Sequence, residues 1–409
     1  MDQHRDTEPL PRWSQELEIA ALRGVDHASQ GNVPQAESIA VTSVWQLESP
    51  DAADRAMSDQ AEAYVYRRVA HPNARALATK LATLHGAKRA IVTAQGMSAI
   101  AAVAIAGLHP GAQVWMGEEL YGETSLLLAD HLTRWQVQVR TFDPCDPQQV
   151  SQLAAAGPVE LVFIETITNP RVRIPDIAAV AGATHQAGGR LVVDNTFATY
   201  LLCRPLELGA DIVVESLGKQ VNGHSDGMLG LIAGQDERHL ANIANVVKTF
   251  GWASSPLDCY LTHRGLPSLA LRMERACANA MALADQLSQI DGVRVVDYPG
   301  LVTHTGNAAA IRQFRGGFGW MLCFQIAADR AQVERLFKAL RPDIRFVPSL
   351  GDSSTTLSHP LSTSHRGTAT ELLTRLGIDH GTIRVSCGIE PTQWLVDRFS
   401  QALQEDCND

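Results

Sequence analysis

The stretch VVDNTFATYLLCRPLELGADIVVESLGKQVNGHSD, residues 192–226, carries two apolar runs of strand length, each followed by a charged group. Asp194 closes the run Leu191-Val192-Val193, and Lys219 comes shortly after the run Asp211 to Val214. An amine and a carboxylate at neighbouring strand ends are what pyridoxal phosphate (PLP) chemistry requires. The amine forms a Schiff base, and the carboxylate keeps the pyridine nitrogen protonated. Generic α/β proteins also place Lys and Asp at such ends, so spacing by itself leaves a surface lysine and a helix-capping aspartate open.

Outward from this stretch, strand-length apolar runs alternate with longer helix-like segments from Ala63 to about Ser255. The candidate strands are Arg89 to Val92, Gln113 to Met116, Glu160 to Ile164, Arg190 to Val193 and Ala210 to Val214. Helix-like segments at 73–85, 98–108, 124–135, 147–156 and 176–187 separate them. This alternation predicts an α/β domain over 63–256, with a mostly parallel sheet and helices on both faces. Ligands of such sheets collect outside the carboxyl ends of the strands, where Glu165, Asp194 and Lys219 fall. After Pro256 a long helical segment, Leu257 to Ile290, leads into strand-like runs at 293–296 and 321–326 and helices at 331–340 and 391–403, so a smaller α+β domain is expected over 257–409. Residues 1–62 are polar and turn-rich, with a short helix near Glu16 to Leu22, and read as an N-terminal arm that packs on another subunit.

The same stretch closely resembles the active-site core of the Cys/Met-metabolism PLP enzymes, the cystathionine γ-synthase, cystathionine γ-lyase and methionine γ-lyase group. Further islands follow in that family's order: Tyr66-x-Arg68, Gly96-Met97, Leu120-Tyr121-Gly122, Glu165 to Pro170, Arg264-Gly265-Leu266, Ser349-Leu350-Gly351, His359-Pro360 and Arg384 to Glu390. Any one would be a weak motif match; their common order over most of the chain is a strong one. The resemblance implies the aspartate aminotransferase-like fold (fold type I) of PLP-dependent transferases, with pyridoxal 5'-phosphate as cofactor.

It also implies roles residue by residue. Lys219 would carry the cofactor and move the Cα proton, and Asp194 would pair with the pyridinium nitrogen. Phosphate donors would come from the backbone of Gly96 and Met97 at a helix N-terminus, from Ser216, and from Tyr66 and Arg68 of a neighbouring subunit. Tyr121 would stack on the cofactor ring and serve proton traffic at the leaving group. Arg384, beside Asn169 and Ser349, would hold the substrate α-carboxylate through a bidentate pair. A homotetramer with shared active sites is therefore expected.

The chain departs from the family pattern at Gly218, where a threonine is common, at His71-Pro72-Asn73, at Gln95, at Glu123 and at Ser354, which aligns approximately with a glutamate of cystathionine-handling members. Glu123 and Ser354 are placed at the substrate's distal end. The expected activity is elimination or γ-replacement on a sulfur-containing or O-acylated amino acid, of the cystathionine γ-synthase or γ-lyase type. Gly351-Asp352, a pair found in methionine γ-lyases and O-acylhomoserine sulfhydrylases, keeps that chemistry as a second reading. A PLP-binding regulatory protein without turnover is a third.

Composition narrows the alternatives. With 409 residues the chain is long enough for more than one core. A formal charge of −10, with charged residues at 19%, offers no basic stripe for a phosphate backbone, so nucleic acid is not an expected partner. The seven cysteines are scattered with no C-x-x-C pair, which reads as reduced thiols and neither disulfides nor a metal site. Met1 to Arg12 lacks the apolar core of a signal peptide, and Ala90 to Leu108 is broken by polar and glycine residues, so a cytoplasmic protein outside the membrane is expected. Gly223 to Gly227 spells G-x-S-x-G but does not follow a strand, and Gly316-Gly317-Phe318-Gly319 lacks the context of a dinucleotide site.

Overall fold

A computed structural model describes residues 10–23, 35–58 and 63–406. The remaining parts of the expected arm and Cys407 lie outside the described residues. Short β-branched runs form β1 (Arg89–Thr93), β2 (Gln113–Gly117), β3 (Gln138–Phe142), β4 (Leu161–Glu165), β5 (Arg190–Asp194), β6 (Ile212–Ser216) and β7 (Gly230–Gly234). They build one sheet in the order β1-β7-β6-β5-β4-β2-β3. The β4–β5, β5–β6, β2–β4 and β2–β3 pairs are parallel, while β7 runs antiparallel between β6 and β1. Apolar clusters cover both faces of this sheet, which is why β4 and β7 are buried along their whole length.

Two of these strands lie outside the expected set. β3 is an edge strand with polar Gln138, Arg140 and Thr141, and β7 is a Gly-Leu-Ile-Ala-Gly run whose terminal glycines read as turn residues. The segment expected as one helix over 124–135 is a short α-helix, Gly122–Leu126, followed by a π turn, Leu127–His131, and a 3-10 turn, Leu132–Trp135. The long helix expected over 257–290 is two helices, Pro256–Gly265 and Leu269–Leu287, because Pro267 in the Leu266–Ser268 turn removes a backbone donor.

β8 (Val293–Asp297), β9 (Met321–Ile326), β10 (Arg345–Phe346), β11 (Thr356–Ser358) and β12 (Thr382–Ser386) form a second sheet in the order β10-β11-β12-β9-β8, antiparallel except for β10–β11. A separate core of Leu283, Leu287, Leu322, Phe324, Leu336 and Phe399 supports it. The Leu269–Leu287 helix belongs to both cores, through Met273 and Ala276 at one end and Ala280, Leu283 and Leu287 at the other. No helix of the described residues is long and apolar enough to cross a membrane, and no group of three or more His, Cys, Asp or Glu among them could hold a metal ion.

The carboxyl ends of β1, β2, β4, β5 and β6 share one edge of the large sheet, and antiparallel β7 begins at that edge. Its first residue, Gly230, pairs with both Thr93 and Ser216. A Cβ there would lie 2.2 Å from the Gln95 carbonyl oxygen and 2.4 Å from Thr93 Oγ1. Gly230→Ala should therefore destabilise the fold by about 1–3 kcal/mol through overpacking against backbone that cannot yield. Chemical denaturation of the purified variant measures this, and unchanged stability would contradict it.

Candidate active site

Lys219 sits in the turn leaving β6. Its backbone N–H donates to the Ser216 carbonyl at 3.2 Å, and its own carbonyl accepts from Gly223 N–H at 2.8 Å. The Nζ donates to Ser349 Oγ at 2.8 Å, so the first large sheet and the loop before β11 meet at this amine. Burial, and secondarily the nearby Arg384 charge, hold Lys219 below the ordinary lysine range. A lysine whose hydrogen-bond partner is a neutral hydroxyl, beside another cation, is biased towards the free amine that a nucleophile or base requires.

Asp194 ends β5. Its Oδ1 accepts from Thr196 N–H at 3.0 Å and from Thr196 Oγ1 at 2.5 Å, and Thr196 Oγ1 in turn accepts from Ser216 N–H at 2.8 Å. Thr196 thus ties the ends of β5 and β6 together. Burial pushes the Asp194 carboxyl up to about 6; the Thr196 hydrogen bonds oppose this, and the Glu215 charge adds to it. Glu165, opposite Asp194 in the β4–β5 register, is held well above the usual carboxylate range by burial and then by Asp194, while its Oε1 accepts from Tyr121 N–H at 2.6 Å.

Arg384 on β12 is buried, and its Nη1 donates to Asn169 Oδ1 at 2.5 Å. Burial lowers its guanidinium to about 10, and the charges of Glu165 and Tyr121 are among those that oppose the shift. Burial raises the Tyr121 hydroxyl, the Glu123 charge raises it further, and Arg384 pulls it down, so these three residues share one neighbourhood. Glu123 itself is exposed in the first turn of the Gly122–Leu126 helix. Ser354 is exposed, and its Oγ donates to Asp352 Oδ1 at 2.6 Å. Ser225 Oγ donates to the other oxygen, Oδ2, at 2.5 Å. Burial by itself would raise Asp352, but these hydrogen bonds hold it below the usual range.

For phosphate, the Gly96–Gly107 helix begins at the same edge, with Gln95 as an N-cap that makes no side-chain cap hydrogen bond. A Cβ on Gly96 would stand 3.0 Å from Ser216 Cβ, so glycine is what leaves room between the helix N-terminus and the β6 end. Gly218, by contrast, has no room for a hydroxyl-bearing side chain: a Cβ there would lie 2.5 Å from the Gly227 carbonyl oxygen.

Tyr66 and Arg68 lie elsewhere in the chain. Arg68 Nη1 donates to the Lys248 carbonyl at 3.0 Å and its guanidinium covers the Tyr66 ring at 5.5 Å. Both line a recess of about 370 Å³ together with Ser43, Gly251 and Pro256. The donor set at the sheet edge fits PLP: an amine on a short tether, a strand-end carboxyl whose proton affinity burial raises, a glycine-lined helix N-terminus and a buried arginine.

A buried arginine that donates to the Gln220 and Val221 carbonyls, just after Lys219, stands outside the residues that sequence reasoning singles out. Arg272 lies on the buried stripe of its helix, three residues after Leu269 and four before Ala276, and a charged residue on an apolar face is the available signal. Thr196 follows Asp194 as an ordinary capping neighbour in sequence and is a bridge between strands in the fold. Buried Glu215, which accepts from Asn195 Nδ2 at 2.9 Å and faces His85 Nε2 at 3.5 Å, reads in sequence as one more strand residue.

Comparison with known proteins gives the family. Residues 21–404 match the family described as Cys/Met metabolism PLP-dependent enzyme. The chain is 33% identical over 396 residues to O-succinylhomoserine sulfhydrylase of Pseudomonas aeruginosa, covering 96% of this chain and 97% of that protein. It is 33% identical to L-methionine gamma-lyase of Porphyromonas gingivalis, covering 88% and 90%. Its fold superimposes with a TM-score of 0.89 on cystathionine gamma synthase from Xanthomonas oryzae pv. oryzae in complex with cystathionine, at 31% identity and covering 96% and 98%. The fold and site thus define a PLP-dependent enzyme of fold type I. The chain belongs to the Cys/Met-metabolism PLP-dependent enzyme family, and its cofactor is pyridoxal 5'-phosphate. Its activity is an elimination or γ-replacement on a sulfur-containing or O-acylated amino acid.

The raised Asp194 gives a stability signature in the cofactor-free protein. An acid whose folded affinity for a proton exceeds its unfolded one keeps that proton between about pH 4 and 6, so its contribution is lost as pH rises through that window. Because the residue keeps some solvent contact, the cost above it is discounted to about 1–2 kcal/mol. Asp194→Asn should make the apo protein more stable than wild type at pH 8 by that amount, with the gain vanishing near pH 4, while weakening PLP binding. Denaturation curves at the two pH values and a PLP titration measure both effects.

Proposed function

We propose that the enzyme catalyses γ-replacement or γ-elimination on a γ-substituted α-amino acid, with Lys219 moving the Cα proton and Arg384 holding the α-carboxylate. The observation that carries this reading is the Lys219 Nζ, 2.8 Å from Ser349 Oγ, held below the ordinary lysine range on the edge shared by Asp194 and Arg384. When bound, PLP supplies an electron sink for the bond-breaking at Cα. Asp194 is the residue that would face its ring nitrogen, and Gly96, Met97 and Ser216 those that would hold its phosphate. Asn169 fixes the Arg384 fork through its own side chain, so the substrate carboxylate meets a guanidinium already oriented. Tyr121, on the side of Glu123, is placed to serve the leaving group.

The relatives handle O-succinylhomoserine, methionine and cystathionine by name, and the distal end of this site separates those substrates. Two acids mark that end: Glu123, whose charge reaches the Tyr121 hydroxyl, and Asp352, held in its charged form by Ser225 and Ser354. A second carboxylate on the substrate would meet like charge there, at a cost of about 1–3 kcal/mol, or roughly ten- to hundredfold in preference. Neutral or amine-bearing γ-substituents are accordingly favoured. The Gly351-Asp352 pair supports the methionine γ-lyase or O-acylhomoserine sulfhydrylase reading, and for the latter the same charge argument favours an O-acetyl over an O-succinyl ester.

We place the working enzyme in a homotetramer in the cytoplasm, built from paired subunits. Tyr66 and Arg68 lie around a recess of their own, and the surface near them carries exposed Val41, Val44 and Val69. Such a surface gains from being covered by a second copy of the chain.

Release of 2-oxo acid from cystathionine, methionine, O-acetylhomoserine and O-succinylhomoserine tests the reaction. The wild type should turn over at least one of them, and Lys219→Ala should lose turnover and the visible absorption of the bound cofactor while staying folded. O-acetylhomoserine should exceed O-succinylhomoserine in kcat/KM by about tenfold or more, with Glu123→Gly narrowing the gap. Equal values, unchanged by the substitution, would leave Glu123 with no part in substrate choice. Mixing Arg68→Ala with Lys219→Ala subunits under conditions of proven exchange should restore part of the activity; no recovery would count against a shared site.

A further inference from the structure

Arg272 is a buried cation whose guanidinium bonds neutral acceptors. Its Nη1 donates to the Gln220 carbonyl at 2.5 Å, and its Nη2 donates to the Val221 carbonyl at 3.1 Å and the Gly265 carbonyl at 2.9 Å. Its Nε donates to Ser268 Oγ at 3.1 Å, and Ser268 Oγ donates in turn to the Gly265 carbonyl at 3.1 Å. Burial lowers its guanidinium to about 10, a shift that Tyr200 and Asp352 oppose. Burying a charge this way is costly, and for packing alone an apolar side chain would serve.

Two of the carbonyls it holds belong to the two residues directly after Lys219. The backbone around them is shaped to admit the guanidinium. Gly223 adopts φ +73°, and a Cβ there would stand 2.1 Å from Arg272 Nη1. A Cβ on Gly265 would stand 2.6 Å from the Asn222 carbonyl oxygen. From the opposite side the 349–354 loop closes on the same turn: Ser353 N–H donates to the Gly223 carbonyl at 3.0 Å, and a Cβ on Gly351 would lie 2.6 Å from the Gln220 nitrogen.

From this geometry we infer that Arg272 is a positioning residue for the proton-transfer step: by pinning the Gln220 and Val221 carbonyls it fixes the turn from which the Lys219 amine reaches its target. This rests on the assignment of Lys219 above. Misplacing a reacting group by a fraction of its reach costs rate steeply, whereas it leaves a carboxylate-binding arginine on another strand untouched. Loss of Arg272 should therefore act on kcat and on the amine's encounter with PLP, and spare KM.

Three variants test this. Arg272→Met removes the donors and keeps the stem, Arg272→Lys keeps the charge with fewer donors, and Ser268→Ala removes the acceptor of Nε together with the hydroxyl's own bond to the Gly265 carbonyl. Each is assayed for melting temperature, for the rate at which apo protein captures PLP covalently at Lys219 (borohydride trapping and peptide mass spectrometry), and for kcat and KM. Arg272→Met should capture PLP about tenfold or more slowly and lose about tenfold or more in kcat, with KM within about threefold of wild type. Arg272→Lys should recover part of both, and Ser268→Ala should show the same split more weakly. A folded Arg272→Met with capture rate and kcat within about twofold of wild type would overturn the inference. If Arg272→Met does not fold, Ser268→Ala and Arg272→Lys decide, and wild-type behaviour in both overturns it. A wild-type chain that trapped PLP elsewhere would overturn the Lys219 assignment and this inference together, whereas normal capture in every variant would overturn the role of Arg272 alone.

Discussion

Glu165 and Asp194 end neighbouring parallel strands in register, and two carboxyls cannot both ionise cheaply in so enclosed a place. The structure resolves this by giving them different partners. Glu165 is held well above the usual range and accepts the Tyr121 N–H, which fixes the start of the segment carrying Tyr121 and Glu123. Asp194 has Thr196 on Oδ1 and rises only to about 6, so it is the one that ionises when a cation comes near. Pairs of titratable groups driven apart in this way mark out acid and base roles. Thr196 carries the arrangement across to β6 through Ser216 N–H, and the lysine turn begins at Ser216.

A second constraint is backbone contact. The Lys219 turn is approached by the helix pair around Gly265 and by the loop at Gly351, and in each case the missing Cβ is what lets two main chains meet. The Lys219 amine is therefore fixed by elements from both sheets: the large one that carries it, and the small one that brings Ser349, Ser353 and Arg384. Shifting the small sheet would move Arg384 and the lysine's hydroxyl partner together, which couples the position of the guanidinium to the state of the amine.

The strands with strong apolar character, and the charged residues at their ends, are legible in the sequence because parallel strands buried on both faces write themselves as Val/Ile/Leu runs. That pattern places Lys219, Asp194 and Glu165 on one edge. β7 is invisible to it because its glycines carry no pattern, although Gly230 closes the edge against Gln95 and Ser216. The helix break at Pro267 and the π turn after Leu126 stay hidden because periodicity continues through both. Arg272 shows in the sequence only as a charge on an apolar helix face, because contacts to main-chain carbonyls leave no motif in the sequence that supplies them. Ser354 and Glu123 can be aligned, but alignment does not tell that Asp352 holds Ser354 or that Glu123 reaches the Tyr121 hydroxyl.

Gly218 shows how one departure from a family pattern is anchored in the backbone. A threonine there would add a hydroxyl near Ser216, yet its Cβ would run into the Gly227 carbonyl, and Leu217 N–H already bonds the Leu229 carbonyl at 3.0 Å to hold that segment in place. The hydroxyl cannot be restored by a single substitution without moving the 227–229 segment. What remains within one chain is the uncapped start of the Gly96–Gly107 helix and Ser216. A dianionic phosphate held by those donors alone lacks a countercharge. In the proposed assembly Arg68 of a second copy would supply that charge, and cofactor retention would then lean more heavily on subunit pairing than with threonine at position 218.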